Sequence, residues 1–484
     1  MIQINNVTFT YTGETGGAGG IRDINLEIPT GQFVVLCGES GCGKTTITRL
    51  INGLIPHYYE GELKGTVQVD GQMVSEQPLY DTAKLVGSVF QNPRSQFFNV
   101  DTTGELSFGC ENLGLPETEI RERLDRAVKA HHLEKLLNRS IFQLSGGEKQ
   151  KIACGSVSVM QPEVFVLDEP SSNLDAASIL ELREILAQWK KQGKTIVLSE
   201  HRLYYLKGLA DRFLYIKEGR IAEDYTAAEF AALTGEERRE RGLRCFDLAS
   251  LRAPELVEPC REQMTLRHFH FAYKNQPDTL HIGNATVPAG RIVGIIGDNG
   301  AGKSTFSRCF CGLEKKCGEI AWQGKTYRPK DRLNTCYMVM QDVNHQLFTE
   351  SVLDEILISM EKEETEAESI LESLDLLDLK DRHPMSLSGG QKQRVAVASA
   401  IASRRSVLFF DEPTSGLDYK HMLEVAAVLR KLQQSGRSIY VITHDLELIL
   451  ACCTDILRLE KGEIREQYPV DARGLDAIRK FFHT

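Results

Sequence analysis

Two stretches of this sequence, Gly38-Glu-Ser-Gly-Cys-Gly43-Lys44-Thr45 and Gly297-Asp-Asn-Gly-Ala-Gly302-Lys303-Ser304, set glycines, a lysine and a hydroxyl at the spacing of a phosphate-wrapping loop. In such a loop, placed between a strand and a helix, backbone N–H groups enclose a phosphate chain. The lysine reaches the β and γ phosphates, and the hydroxyl of Thr45 or Ser304 reaches Mg²⁺. The candidate binding residues are Gly38, Gly41, Gly43, Lys44, Thr45 and Thr46 in the first stretch. In the second they are Gly297, Gly300, Gly302, Lys303, Ser304 and Thr305. Further on stand Asp168-Glu169-Pro170 and Asp411-Glu412-Pro413. Asp168 and Asp411 suit Mg²⁺, directly or through water, because a hard cation takes oxygen ligands and keeps several waters. Glu169 and Glu412 are then placed to polarise an attacking water. Ser145-Gly146-Gly147 and Ser388-Gly389-Gly390 precede helical sequence, where small residues expose N–H donors to an anion. Alone, that triplet is an ordinary helix cap.

Spacing gives these motifs their weight. From Lys44 to Lys303 the offset is 259, from Gln91 to Gln341 it is 250, and from Ser145 to Ser388, Asp168 to Asp411 and His201 to His444 it is 243. One ordered series therefore occurs twice, in register, with two losses in the second copy. The serine precedes the aspartate by 23 residues in both copies, and the glutamate precedes the histidine by 32.

Elements that could position these groups are legible around them. Phe33-Val-Val-Leu-Cys37 and Ile292-Val-Gly-Ile-Ile296 read as buried parallel strands ending at the phosphate loops. Val164-Phe-Val-Leu167 and Val407-Leu-Phe-Phe410 read the same way, each delivering an Asp-Glu pair at its carboxyl end. Open α/β sheets bind ligands at that end, so both motifs should converge on one site per copy. Helical sequence, such as Glu117 to Leu137 and Glu361 to Leu377, separates the glutamine from the Ser-Gly-Gly of each copy and predicts an inserted helical subdomain. Residues 226–262 carry no motif and read as a linker with some helix, between domains spanning 1–225 and 263–484.

A chain of 484 residues is too long for one ordinary core. With 26% charged and 42% hydrophobic residues it has the balance of a globular protein, and a net charge of −10 gives no footprint for general nucleic-acid binding. The longest stretch without a charged side chain is the thirteen from Met1 to Gly13, whereas a membrane-spanning helix needs about 20 mostly apolar residues. The start lacks the basic-then-apolar run of a secretory signal, and a cytosolic location is expected. Twelve scattered cysteines, with Cys42 inside a phosphate loop, fit a reducing compartment. Cys309, Cys311 and Cys317 invite a metal reading, but no Cys-x-x-Cys pair or matching histidine pair accompanies them.

Taken together, these motifs resemble the ATP-binding-cassette (ABC) ATPases across essentially the whole chain apart from the linker. The resemblance implies an α/β fold of two tandem P-loop NTPase domains, each a RecA-like parallel-sheet core with an antiparallel β subdomain and a helical subdomain. It implies ATP and Mg²⁺ as ligands, and two cassettes pairing head to tail within one chain. One ATP would then lie between the Lys44 loop and Ser388, the other between the Lys303 loop and Ser145. It also implies that Tyr11 and Tyr273 stack on adenine, that Gln91 and Gln341 sense Mg²⁺ and link to a membrane partner, and that His201 and His444 contact the γ phosphate. Three departures distinguish the copies: Asn173 against Gly416, Lys151 against Arg394, and Glu200 against Thr443. None removes a hydrolytic group, so two competent sites with unequal rates are expected.

Within that superfamily, Asn52-Gly-Leu-Ile-Pro-His-Tyr-Tyr-Glu-Gly-Glu-Leu-Lys-Gly65 and the paired glutamines Gln91/Gln96 and Gln341/Gln346 look like the energy-coupling-factor importers. The implied role is the energising ATPase of an importer of a vitamin, metal ion or other small solute, held at the inner face of the membrane by a transmembrane coupling subunit and small substrate-binding membrane proteins. Gln96 and Gln346 are the candidate contacts with the coupling subunit, a plain surface glutamine being the alternative at each. Tandem sugar-importer ATPases are a rival, though they often carry a degenerate second site. So is the soluble ABC-F type acting at the ribosome, whose linker is typically a longer, charged helical hairpin.

Overall fold

The computed structural model describes residues 1–12, 20–172, 174–254, 260, 262–274, 279–360 and 364–482; Asn173 and part of the segment 226–262 lie outside them. The chain divides into two compact units, Met1–Asp247 with Asp418–Lys420, and Leu248–Leu417 with His421–Thr484.

In the first unit the central sheet runs Arg220–Thr226, Arg212–Lys217, Phe33–Cys37, Thr195–Ser199, Val164–Asp168, Val86–Val89. All neighbours are parallel except the antiparallel hairpin at the Arg220–Thr226 edge. Strand Phe33–Cys37 is buried throughout because alternate side chains enter two different cores. Val34 and Leu36 face Ile47, Leu50 and Ile51 of the following helix, while Phe33, Val35 and Cys37 face Ile179, Leu182 and Trp189 of helix Ala176–Lys191. A strand covered on both faces needs this continuous apolar run rather than an alternating pattern. A second, antiparallel sheet orders Gly20–Ile28, Ile2–Tyr11, Gly61–Val69 and Gln72–Met73. Helices Thr102–Asn112, Glu117–Ala130 and Gly146–Met160 carry the helical subdomain, packed through Leu106, Val128, Leu133 and Ile152.

The second unit repeats the plan. Its central sheet runs Cys336–Val339, Val407–Asp411, Ser438–Ile442, Ile292–Ile296, Asp455–Glu460, Glu463–Pro469, beside an antiparallel sheet of Leu280–Ala289, Glu262–Phe271, Glu319–Trp322 and Lys325–Tyr327. The two losses fall in peripheral elements. Strand Glu319–Trp322 has 4 residues where Gly61–Val69 has 9, and helices Val352–Leu357 and Glu364–Glu372 have 6 and 9 where the first unit has 11 and 14.

Residues 226–247 are not a free connector. They form helices Ala227–Ala232 and Gly235–Glu240, each with a threonine capping box, and Phe230, Leu243 and Phe246 enter the first unit's core. The charged composition of this stretch conceals three apolar anchors spaced too irregularly for a helical stripe. Phe230 stacks on Phe213 with ring centroids 4.1 Å apart. All twelve cysteines are free, and among the described residues no group of three or more His, Cys, Asp or Glu side chains could hold a metal ion. No described helix is long and apolar enough to cross a membrane.

Candidate functional site

Each phosphate loop leaves a fully buried strand and feeds a helix, Lys44–Ile51 in one unit and Lys303–Phe310 in the other. Gly38 (φ 144°) and Gly297 (φ 157°) open the loops in backbone conformations that side chains disfavour; a Cβ would stand 2.2 Å from the Ile216 carbonyl oxygen and 2.3 Å from that of Leu459. Gly43 and Gly302 close them in the left-handed region at φ 109° and 96°. Gly41 and Gly300, at the tips, also have positive φ, with open space where a Cβ would be. The lysine ammonium groups turn back into their own loops. Lys44 Nζ donates to the carbonyls of Gly38 (3.1 Å) and Glu39 (2.8 Å), and Lys303 Nζ to those of Gly297 (2.6 Å) and Asp298 (3.1 Å).

At the start of each helix the hydroxyl meets the carboxylate that the sequence placed more than a hundred residues away. Thr45 Oγ1 donates to Asp168 Oδ1 and Ser304 Oγ to Asp411 Oδ2, both at 3.1 Å. Burial pushes the Asp168 carboxyl above the usual range, with the neighbouring Glu169 charge adding to it and the Ser199 and Thr45 hydroxyls partly offsetting it. Asp411 is raised in the same way, against Ser304 and Lys303. A buried carboxylate with a raised pKa beside a hydroxyl oxygen is an oxygen donor set suited to a divalent cation, whose charge would reverse the penalty of burial.

Glu169 and Glu412 follow directly, and both lie in the left-handed region, at φ 43° and 51°. That conformation is uncommon for a residue other than glycine and persists where the surroundings fix it. Here the Glu169 N–H donates to the Ser199 carbonyl and the Glu412 N–H to that of Ile442. His201 Nε2 sits 3.2 Å from Glu169 Oε1, and His444 Nε2 sits 3.7 Å from Glu412 Oε1. Burial alone would raise the Glu169 carboxyl, but the charge and hydrogen bond of His201 together with Lys44 bring it below the ordinary range. Gln91 Nε2 also donates to Glu169 Oε2 at 2.8 Å. The structure thus brings lysine, hydroxyl, aspartate, glutamate and histidine together at the carboxyl ends of the strands in each unit; Gln91 joins them, while Gln341 makes no corresponding bond among the described residues.

The Ser-Gly-Gly triplets cap long helices. Ser145 Oγ accepts from Glu148 N, and Glu148 accepts back from Ser145 N, at the start of Gly146–Met160; Ser388 and Gln391 repeat the box at Gly389–Ala402. Gly147 is confined, since a Cβ there would lie 2.0 Å from Ser178 Oγ. Tyr11 and Tyr273 hold hydroxyl contacts with Thr46 (3.2 Å) and Thr305 (3.4 Å), and each ring stands edge-on to a phenylalanine two residues before it.

Two readings from sequence need correction or addition. Gln96 and Gln346 do not present themselves to a partner. Gln96 accepts from Phe90 N and donates to Ser88 O, and Gln346 accepts from Met340 N and donates to the Tyr337 hydroxyl, so both brace their own loops. The residues left outward are aromatic: Phe98 is 75% exposed and stacked on Phe108, and Phe348 is 72% exposed at the matching place. The sequence signal was present two residues after each glutamine, but exposure separates a packed phenylalanine from a presented one and is not written in composition. Ser199, whose hydroxyl makes a short bond to Asp168, was likewise missed because a serine ending an apolar strand carries no motif.

A family model described as ABC transporter matches residues 21–172 and 280–415. Two Treponema denticola proteins, both provisionally named ABC transporter ATP-binding protein, are 44% and 39% identical over 96% and 97% of this chain and of their own lengths. A Methanosarcina mazei protein of the same provisional name is 31% identical, covering 96% of this chain and 88% of its own. Among solved structures, one described as ribosome-bound archaeal Pelota and ABCE1 aligns with TM-score 0.70 at 19% identity, over 99% of this chain and 80% of that one, a likeness of fold.

Proposed function

This chain belongs to the ABC transporter family and carries two of its ATP-binding cassettes, and we propose that it is the ATP-hydrolysing subunit energising a membrane importer of the energy-coupling-factor type, for a vitamin, metal ion or other small solute. The observation that carries the reading is an apolar surface beside each glutamine loop. In the first unit Phe98, Val100 and Phe142 are 75%, 63% and 78% exposed; in the second, Phe348, Ile358 and Met385 are 72%, 60% and 46% exposed. Ile141 N donates to the Val100 carbonyl, which ties the segment carrying Phe142 to the one carrying Phe98. Large apolar side chains grouped on a surface mark a protein partner. Phe98 recurs as Phe348 at the offset of 250 and Phe142 as Met385 at the offset of 243, a repetition that suits a coupling subunit presenting similar helices to each cassette.

In this reading Lys44 and Lys303 leave their loop carbonyls to hold the phosphate chain, and Thr45 with Asp168, and Ser304 with Asp411, hold Mg²⁺. Bound Mg²⁺ neutralises charge building on the transferred phosphoryl group. Glu169 or Glu412 accepts a hydrogen bond from a water whose oxygen attacks the γ phosphorus; the bond to the β-phosphate oxygen breaks, and the water's proton passes to the phosphate. His201 and His444 steady the carboxylate and face the same phosphate. The signature helix N-termini at Ser145 and Ser388 supply N–H donors to the nucleotide held by the other cassette. Transport follows only if the nucleotide-bound and free states favour different conformations of the partner.

The test is an affinity capture of the tagged chain from detergent-solubilised native membranes, with bound proteins identified by mass spectrometry. Recovery of a polytopic subunit together with small membrane proteins is expected, and Phe98→Ser with Phe348→Ser should release it. Recovery of ribosomes with no membrane protein would transfer the assignment to translation.

A further inference from the structure

On the first unit, at the end of the central sheet opposite the phosphate loop, a cleft of about 310 Å³ opens where helix Glu117–Ala130 of the helical subdomain meets helix Ala176–Lys191 of the core. Its floor is aromatic and polar. Trp189 stacks on Phe165 with centroids 3.9 Å apart, and the ring of His131 stands edge-on to Trp189 at 6.2 Å. Ser158 joins them: its hydroxyl donates to the Cys154 carbonyl (2.8 Å), accepts the Trp189 indole N–H (3.0 Å) and lies 2.8 Å from His131 Nε2. Because the serine proton is committed to Cys154, His131 Nε2 is the donor, and burial favours the neutral ring, in which Nδ1 is a bare acceptor. Nδ1 has no hydrogen-bond partner among the described residues.

The rim is cationic. Arg123, Arg126 and Lys194 border the cleft; Arg123 pairs with Glu119 and Lys194 with Glu163, whereas among the described residues the Arg126 guanidinium donates only to the Glu122 carbonyl of its own helix. The second cassette provides an internal control. At the offset of 243 that relates the two copies here, His131, Ser158, Phe165 and Trp189 become Leu374, Ile401, Leu408 and Leu432. The same joint can thus be filled with aliphatic side chains, which pack without buried polar atoms to satisfy. The first cassette instead keeps three polar groups and an open space.

We propose that this cleft binds a small planar carboxylate, with its ring against the edge of the Trp189 and His131 floor and its carboxylate toward Arg126 and Lys194. The volume fits one or two rings, and a few cations beside an apolar floor is the usual composition of a small-molecule site. A ligand seated there bridges the helical subdomain and the core, and does so in one cassette only.

The probe is 4-fluorobenzoate, added to the full chain and followed by ¹⁹F NMR. The chain has 2 tryptophans, so in a Trp322→Phe background the emission of Trp189 reports the same event. Saturable binding is expected by about 10 mM, weakened at least about fivefold by Arg126→Ala and at least about tenfold when neutral 4-fluorobenzyl alcohol replaces the carboxylate. Arg126 is exposed, so its replacement leaves the fold intact. His131→Leu with Ser158→Ile and Trp189→Leu, the residues of the second cassette, should abolish binding in NMR. Absence of saturation, equal affinity for the alcohol, or an Arg126→Ala variant that binds as the parent does would each overturn the proposal.

Discussion

In the first cassette the Asp168 carboxylate takes hydrogens from two hydroxyls, Thr45 and Ser199; in the second, Asp411 takes one from Ser304, and the place of Ser199 in the neighbouring strand belongs to Ile442. The turns beyond differ as well. Glu200 accepts from the backbone of His201 and Arg202 and from the Tyr205 hydroxyl, so a buried carboxylate organises the histidine turn. In the second cassette Thr443 accepts from Asp445 N, and Asp445 caps helix Leu446–Cys452. The groups assigned to chemistry are the same in both; the side chains that orient them are not. A duplicated site can therefore keep its reacting groups while its rate is tuned from the surrounding layer.

The sharpest way to probe this comparison is to remove the carboxylates one at a time. Glu169→Gln and Glu412→Gln together should cut phosphate release by about 10²–10⁴-fold while ATP still binds. The single variants apportion turnover between the cassettes, and near-normal turnover in the double variant would contradict the role given to both. Lys44→Ala or Lys303→Ala removes charge-assisted bonds worth about 1.5–3 kcal/mol, so nucleotide affinity should fall roughly 10- to 100-fold at that cassette alone in equilibrium binding. Unchanged affinity would show that the ammonium stays with its loop carbonyls.

A smaller effect isolates the orienting layer. Ser199→Ile, tested in a Glu412→Gln background so that one site turns over, should raise the Mg²⁺ concentration for half-maximal ATPase by roughly tenfold. Ile442→Ser in the converse background should lower it, and no change in either would mean that the second hydroxyl is structural.

The smallest effect concerns pH. Burial, followed by the nearby His132, holds the His131 imidazole down at about 4 from its usual 6.5. The folded state therefore favours the neutral ring. Its contribution is complete above pH 6.5 and is lost as pH falls toward 4, because the unfolded chain takes up the proton first. At pH 5.5 the loss is about 1 kcal/mol. The first unit's thermal midpoint should fall accordingly between pH 7 and 5.5, and His131→Leu should flatten that difference.

Much of this arrangement was readable from residues alone, because phosphate chemistry requires glycine where backbone must approach an anion and fixes lysine, hydroxyl and Asp-Glu at strand ends. The paired sheets followed from continuous apolar runs such as Phe33–Cys37. Three kinds of feature escaped. Phe230, Leu243 and Phe246 anchor a charged segment without any periodicity. Gln96 and Gln346 resembled surface glutamines because a side chain that bonds backbone within its own loop leaves no pattern. The His131–Ser158–Trp189 cluster joins residues 27 and 31 positions apart, a separation that becomes contact only when the helical subdomain packs on the core.

The left-handed backbone at Glu169 and Glu412 sets torsional ease against side-chain reach. Aspartate tolerates that conformation better than glutamate does, yet it carries the carboxylate about 1.5 Å nearer its own backbone. Glu169→Asp should therefore raise the melting temperature while lowering phosphate release, the two moving in opposite directions from one methylene. Selection for turnover at this position would hold the chain at a residue its local geometry resists, so stabilising variants recovered there should be slow enzymes.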